Sequence, residues 1–370
     1  MTRAADPSPA SRSPTEARPP APAKGRGARS NVSGRYERLS REDIDDGWET
    51  APESAGKTEL TLETPRTIIN YVSSPYVGFD RSINPYRGCE HGCVYCFARP
   101  THAYYGLSAG LDFETKIFAK PNAPALLERE LGARNYKPRH IAIGTNTDPY
   151  QPVERKQRLM RGILSALAKF NHPVSVLTKS SLIERDIDLL APMAQARIVR
   201  TMLSVTTLDA KLARAMEPRA STPTRRLGSI KALKAAGVPV GVMTAPIIPG
   251  LNDHEIEDLL DAARNAGADW AGYTIIRLPL EIAHLFREWL VAERPDRAAR
   301  VMRQIREMNG GRDYDIEYSR AKSPRSVVAK LIAQRFEKAA QRLGFPAEPP
   351  KFDLNLFRRP DGAAAQLTLF

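Results

Sequence analysis

The chemistry-bearing residues of this chain are three thiols in one short loop. Cys89, Cys93 and Cys96 are the only cysteines among 370 residues. They lie in Arg87-Gly88-Cys89-Glu90-His91-Gly92-Cys93-Val94-Tyr95-Cys96, a C-x3-C-x2-C spacing with an aromatic residue directly before the last thiol. Thiolate sulfur selects zinc or iron–sulfur clusters. Three thiolates leave a tetrahedral site one ligand short. On a [4Fe–4S] cube they leave one iron without a protein ligand, and an open iron is a place for chemistry. Zinc in a Cys3His site is the alternative, with His91 or His102 as fourth ligand. Zinc ligands usually come as two separated pairs, whereas these come from one compact loop. A disulfide framework does not suit an odd count in a long chain without a secretory segment. Gly88 and Gly92 mark a loop folded tightly around something, unlike thiols that merely fill apolar space.

The elements that must position this loop follow it in the sequence. Short β-branched runs alternate with amphipathic stretches. Strands are expected at His140–Gly144, Pro173–Thr178, Ile198–Thr206, Val238–Ile248 and Trp270–Ile276. Helices are expected at Glu154–Phe170, Ile183–Ala194, Thr224–Ala236 and Asp253–Ala266, with Gly237 and Gly267 as stops. This alternation requires an α/β fold with a parallel sheet under helical cover. Two further helices are marked by Val301, Ile305 and Met308, and by Val328, Leu331, Ile332, Phe336 and Leu343.

The net charge is +13 with a pI near 9.7, which favours a polyanionic partner, nucleic acid first. Residues 1–40 carry eight basic side chains and six prolines with almost no large apolar residues, and read as a basic disordered arm. Residues 41–64 turn acidic, with eight carboxylates against Arg41 and Lys57. The ordered body is expected to start near Pro65. No apolar run approaches a membrane span, and the N-terminus lacks a signal-peptide core, so a cytoplasmic location is expected.

The cysteine loop resembles the signature of the radical SAM superfamily. That resemblance implies that Cys89, Cys93 and Cys96 hold a [4Fe–4S] cluster whose fourth iron is chelated by S-adenosyl-L-methionine (SAM). One electron then breaks the bond from sulfur to C5′, and the 5′-deoxyadenosyl radical abstracts a hydrogen atom from the substrate. A reducing partner such as flavodoxin or ferredoxin is implied too. The implied fold is a partial (β/α)6 TIM-like barrel, open on one side, working at the C-terminal ends of its strands. Tyr95 would pack against adenine. At the end of the second barrel strand, Asn146, Thr147 and Asp148 would offer oxygens to the methionyl ammonium, although Asp148-Pro149 also suits a capped turn. Lys179 would meet the methionyl carboxylate or be a solvated strand cap, and Ser204 would face the ribose. Arg219 or Arg225 would clamp a carboxylate. The apolar stretch Ala245–Asp253 resembles the motif flanking adenine.

Tyr95-Cys96-Phe97 with Gly144-Thr145-Asn146-Thr147-Asp148-Pro149-Tyr150-Gln151-Pro152 is similar to uncharacterised relatives of spore photoproduct lyase, over roughly residues 80–280. That lyase uses an additional cysteine near its second strand to return a hydrogen atom. This chain has none, and Thr145 stands in that region. Such a step would need a tyrosine, with Tyr150 as the candidate, so the lyase reaction is not carried over. Auxiliary clusters and a methyl-carrying cysteine are excluded for want of thiols. Four segments are expected: an arm over 1–64, the barrel over 65–285, a helical extension over 286–345 and a tail over 346–370. Residues 285–345 hold fourteen Lys/Arg against eight Asp/Glu, a basic face for DNA over the barrel mouth. The final Gln366-Leu367-Thr368-Leu369-Phe370 is similar to the peptide with which bacterial repair proteins dock on the sliding clamp; Gln366, Leu367, Leu369 and Phe370 would make the contact. The competing readings are SAM chemistry on a protein or small molecule, and a non-catalytic zinc-containing clamp-associated module.

Overall fold

The computed structural model describes residues 24–37, 56–73, 77–317 and 326–360. In chain order its strands begin with β1 (Glu59–Leu62), β2 (Ile69–Tyr71), β3 (Arg81–Ile83), β4 (Tyr86–Arg87) and β5 (Lys116–Ala119). They continue with β6 (Ile141–Ile143), β7 (Val174–Thr178), β8 (Val199–Ser204), β9 (Val240–Ile247) and β10 (Trp270–Ile275). The main sheet has the order β10-β9-β8-β7-β6-β3-β2. Neighbours from β3 to β10 pair in parallel, with Ile83 opposite Ile143 and Ile143 opposite Val176, while β2 is antiparallel to β3. Six parallel strands in an open sheet with helical crossovers make the partial (β/α)6 barrel. A small sheet, β1-β5-β4, lies beside it and leads into the cysteine loop.

Each crossover helix turns an apolar stripe inward. In Leu159–Lys169 the buried set is Leu159, Met160, Ile163, Leu164, Ala166 and Leu167. Ile187–Gln195, Pro223–Ala235 and Ile256–Asn265 cover the next strands in the same way. The expected single helix over 154–170 is two. The Glu154 carboxylate accepts the N–H groups of Leu159 and Met160 (2.9 and 3.1 Å), capping the second helix, and the chain turns at Arg158 with φ 51°.

Two cores result. The larger fills the barrel and its crossovers and takes in Ile332 and Phe336 from the C-terminal helix Val327–Arg342, and Phe345 just beyond it. The second packs Val94 and Tyr95 of the cysteine loop against Met216, Ile248, Phe286, Trp289, Val301 and Ile305. Helices Ile282–Glu293 and Pro295–Met308 therefore share a core with the loop rather than forming a separate extension.

Both ends of the chain depart from expectation. Residues 24–37, assigned above to a disordered arm, form a strap on the body. Arg26 is buried, Arg29 pairs with Glu293 at 2.6 Å, and Asn31 exchanges hydrogen bonds with Asp112. Order also precedes Pro65, because β1 pairs in parallel with β5. At the other end, residues expected in a free tail return to the barrel. Arg200 donates to the Pro350 carbonyl at 2.7 Å, Arg358 N to the Phe170 carbonyl at 3.0 Å, and Arg359 to the carbonyls of Ala133 and Tyr136. Gln366, Leu367, Leu369 and Phe370 lie outside the described residues.

Candidate active site

The cysteine loop is held from three directions. Gly88 (φ 74°) and Gly92 (φ 69°) adopt left-handed turns that only glycine takes without strain. Gln151, beyond the end of β6, donates to the Gly88 carbonyl and accepts from the Glu90 N–H (3.1 and 2.9 Å). From beyond β8, Val94 N donates to the Met216 carbonyl at 3.1 Å and Arg219 N to that of His91 at 3.3 Å. From below, Arg99 is wholly buried, donates to the Cys93 carbonyl at 2.9 Å and pairs with buried Glu114 at 2.5 Å.

Burial pushes all three thiols above their ordinary pKa; at Cys89 the Asp148 carboxylate adds to it, and at Cys93 Glu217 does. A site that disfavours free thiolates becomes favourable once a metal supplies the compensating positive charge. The donor set therefore fits an iron–sulfur cluster. The two histidines nearest in sequence have other neighbours. His91 Nδ1 faces Asp148 at 3.3 Å, and His102 Nε2 lies 3.0 Å from the Lys116 carbonyl with its ring against Phe113. Among the described residues no three or more His, Cys, Asp and Glu side chains stand as a ready metal cage.

The strand ends around the loop carry a buried polar layer. Gly144 (φ 88°) lets the chain pass so close to β7 that a Cβ there would come 1.9 Å from the Leu177 carbonyl oxygen. Asp148 accepts from Tyr150 N (2.9 Å), the Thr178 hydroxyl (2.6 Å) and Lys179 N (2.7 Å). Burial alone would raise its carboxyl, but the facing His91 ring, Thr178 and the Lys179 N–H bring it down to about 2. Lys179 places its ammonium 5.9 Å from the Tyr95 ring centroid, and its charge acts on Cys93, Cys96 and Glu217. Glu217 is buried and takes hydrogen bonds from Tyr95, Thr206 and Arg226. Burial would raise its carboxyl; Arg226 first, then Lys179, lowers it to about 2. Asn252 ties β8 to β9, donating to the carbonyls of Thr206 (2.7 Å) and Pro246 (3.0 Å).

Several expected roles change. Arg225, read as a carboxylate clamp, points away on the outer face of its helix and pairs with Glu184 at 2.7 Å. Its neighbour Arg226 is the inward arginine, bonded to Glu217, the Ser204 carbonyl and the Ser221 carbonyl. Tyr150 is fully buried in the main core with the Arg185 guanidinium 5.9 Å from its ring. Thr147 donates inward to the Tyr86 carbonyl and Ser204 to that of Ala245, and both are buried. Asp148 is likewise committed, and Asn146, like Thr145 beside it, is half-exposed. Tyr95 is buried, with its hydroxyl committed to Glu217 and Thr206. Glu217, Arg226, Gln151 and Glu114 were not anticipated. Arg226 was within reach, since it shares the inward stripe of Ile230 and Leu233 at helical spacing.

This chain belongs to the radical SAM superfamily, whose profile matches residues 83–263. That superfamily uses a [4Fe–4S] cluster and SAM. Uncharacterized proteins of Mycobacterium bovis and Mycobacterium tuberculosis are 41% identical over 226 residues, which is 60% of this chain and 66% of theirs. The match thus spans just under two thirds of those relatives. An uncharacterized protein of Methanocaldococcus jannaschii is 30% identical over 199 residues, 54% of this chain and 71% of its own. In fold the chain is similar to a point mutant of spore photoproduct lyase, at TM-score 0.52 and 15% identity over 77% of this chain and 78% of that one. The same lyase complexed with dinucleoside spore photoproduct gives TM-score 0.51 at 14% identity over the same shares. Among the described residues no helix is long and apolar enough to cross a membrane.

Proposed function

We propose that this radical SAM enzyme acts on DNA or another nucleic acid, by hydrogen abstraction, in the cytoplasm. The observation that carries the chemistry is the single loop of three thiols, Cys89 and Cys93 buried and Cys96 partly so, at the mouth of a parallel open barrel. Bound there, the cluster and SAM supply a carbon-centred radical able to take a hydrogen atom. Cys89, Cys93 and Cys96 are the cluster ligands. The chain's own part is to bind and orient. Lys179 is the cation at the mouth, Asn146 an accessible polar group at the end of β6, and the Glu217–Arg226 pair fixes Tyr95.

The nucleic-acid part rests on charge. The net charge is +13, and the helix Pro295–Met308, whose inner face packs against the loop's core, exposes Arg297, Arg300 and Arg303 on its outer side. The tail residues Gln366, Leu367, Leu369 and Phe370 would bring the enzyme to a sliding clamp, and flavodoxin or ferredoxin would supply electrons. A protein or small-molecule substrate is the competing reading.

The test is anaerobic reconstitution followed by dithionite and SAM, with 5′-deoxyadenosine as the readout. The wild type forms it and Cys96→Ala does not; formation by both variants would sink the ligand assignment. Adding damaged or undamaged duplex DNA should raise the yield and show a salt-dependent affinity. If DNA changes neither quantity while removal of residues 361–370 is silent in clamp pull-down, the nucleic-acid reading fails and the radical chemistry stands.

A further inference from the structure

The strap of residues 24–37 runs close behind the cysteine loop, with Gly27 against the backbone of Gly92. Gly27 N and Ala28 N donate to the two oxygens of Glu114 (2.9 and 2.8 Å), and Arg26 donates to the Glu114 carbonyl at 2.7 Å. Glu114 is the same buried carboxylate that holds Arg99, which in turn holds the Cys93 carbonyl. The packing leaves no slack. A Cβ on Gly27 would lie 1.8 Å from the Gly92 carbonyl oxygen, and one on Gly92 would lie 2.7 Å from Glu114 Oε2. Further along, Ser30 donates to Glu288 (2.7 Å), and Arg29 and Arg35 pair with Glu293 and Glu281 (both 2.6 Å). Those three carboxylates belong to the helix Ile282–Glu293 and the residue before it, which follow β10. The Glu114 segment follows β3. β3 and β10 are the first and last parallel strands of an open sheet.

We infer that the strap is a positioning element of the cluster site: it laces the two ends of the open barrel together and clamps the cysteine loop from behind. Gly27 and Glu114 are its positioning residues. Glu114 satisfies three donors at once, two from the strap and one from Arg99, so the seated strap backs the hold on the loop at Gly92 and Cys93. Groups that orient metal ligands from the layer behind them typically govern retention and electronic character of the metal rather than its identity. The inference rests on Cys89, Cys93 and Cys96 being the cluster ligands.

The experiment uses the full chain, reconstituted anaerobically as wild type, Gly27→Val, Glu114→Ala and Glu114→Gln. Iron and sulfide content, loss of cluster absorbance under a chelator, the EPR spectrum of the reduced cluster with and without SAM, and the thermal midpoint are measured on each. Gly27→Val and Glu114→Ala should lose the cluster about 10- to 100-fold faster than wild type and show a shifted EPR spectrum. Glu114→Gln keeps one acceptor oxygen and should fall between. A lowered thermal midpoint with wild-type EPR and wild-type chelator kinetics would overturn the proposal and reduce the strap to ordinary stabilisation. Gly27 lies outside the barrel cores, so its variant carries the test even where Glu114→Ala does not fold. If the wild type itself takes up no iron, the ligand assignment and the strap's role fall together.

Discussion

At the mouth of the barrel the buried polar groups are ions. Glu217 and Arg226 face each other with almost no solvent access, and Asp148 is held ionised by His91, Thr178 and the Lys179 N–H. At the opposite end, before β6 and β7, the histidines are neutral rings. Burial depresses His140 and His172 to about 4, with the Arg200 charge helping at His140. There Tyr136 and His172 share a 2.8 Å hydrogen bond, and Phe357 from the returning C-terminal segment packs over both. One end maintains buried ion pairs at the expense of desolvation; at the other, the histidines stay neutral beside the guanidiniums of Arg81 and Arg200. In a strand–helix barrel the C-terminal face is where chemistry sits and the far face is where stability resides.

The largest test of this contrast is Glu217→Ala. It strands the Arg226 guanidinium without its counter-ion and should cost about 3–5 kcal/mol in denaturant unfolding. A loss below 1 kcal/mol would mean that the mouth is not held by that pair. Next in size is the acid response. A histidine whose folded pKa lies below its unfolded value of 6.5 binds more protons when unfolded. Its stabilisation is therefore full above pH 6.5 and is lost as pH falls toward about 4. His172 alone should account for about 3 kcal/mol over that window. The depressed carboxyls behave differently: their contribution is full above their ordinary values of 3.8 and 4.5 and is lost only as pH falls toward about 2. The far end should thus loosen first on acidification, and His172→Asn should flatten the stability profile between pH 6.5 and 4. A wild-type profile flat across that window would break the contrast. The smallest effect belongs to Arg225→Ala. Its pair with Glu184 is exposed, so the change should stay within about 0.5 kcal/mol and leave cluster spectra untouched, one residue away from a position that matters.

The loop and the strand–helix alternation were legible because both are local. Fixed thiol spacing and β-branched runs need no long-range partner to be recognised. The strap was not, because residues 24–37 are polar and proline-flanked and acquire order only through carboxylates far away in the sequence. Arg225 and Arg226 differ by one step of about 100° around a helix, and only the register of Ile230 and Leu233 separates them. Tyr150 was the candidate because it stands near Thr145 in the sequence, yet its ring lies inside the main core. Thr147, Asp148 and Ser204 were correctly placed at strand ends. Their commitment to backbone partners is a matter of tertiary geometry that no spacing encodes.

The lacing of the barrel has a temporal side. Arg29 and Glu293 are 264 residues apart in the chain, so the strap's far anchor is among the last contacts available as the polypeptide is made. Synthesis at about 5–20 residues per second separates the two by roughly 10–50 s. Cys96 precedes Glu293 by 197 residues, so for most of that interval the thiols are already made while the strap's far anchor is not.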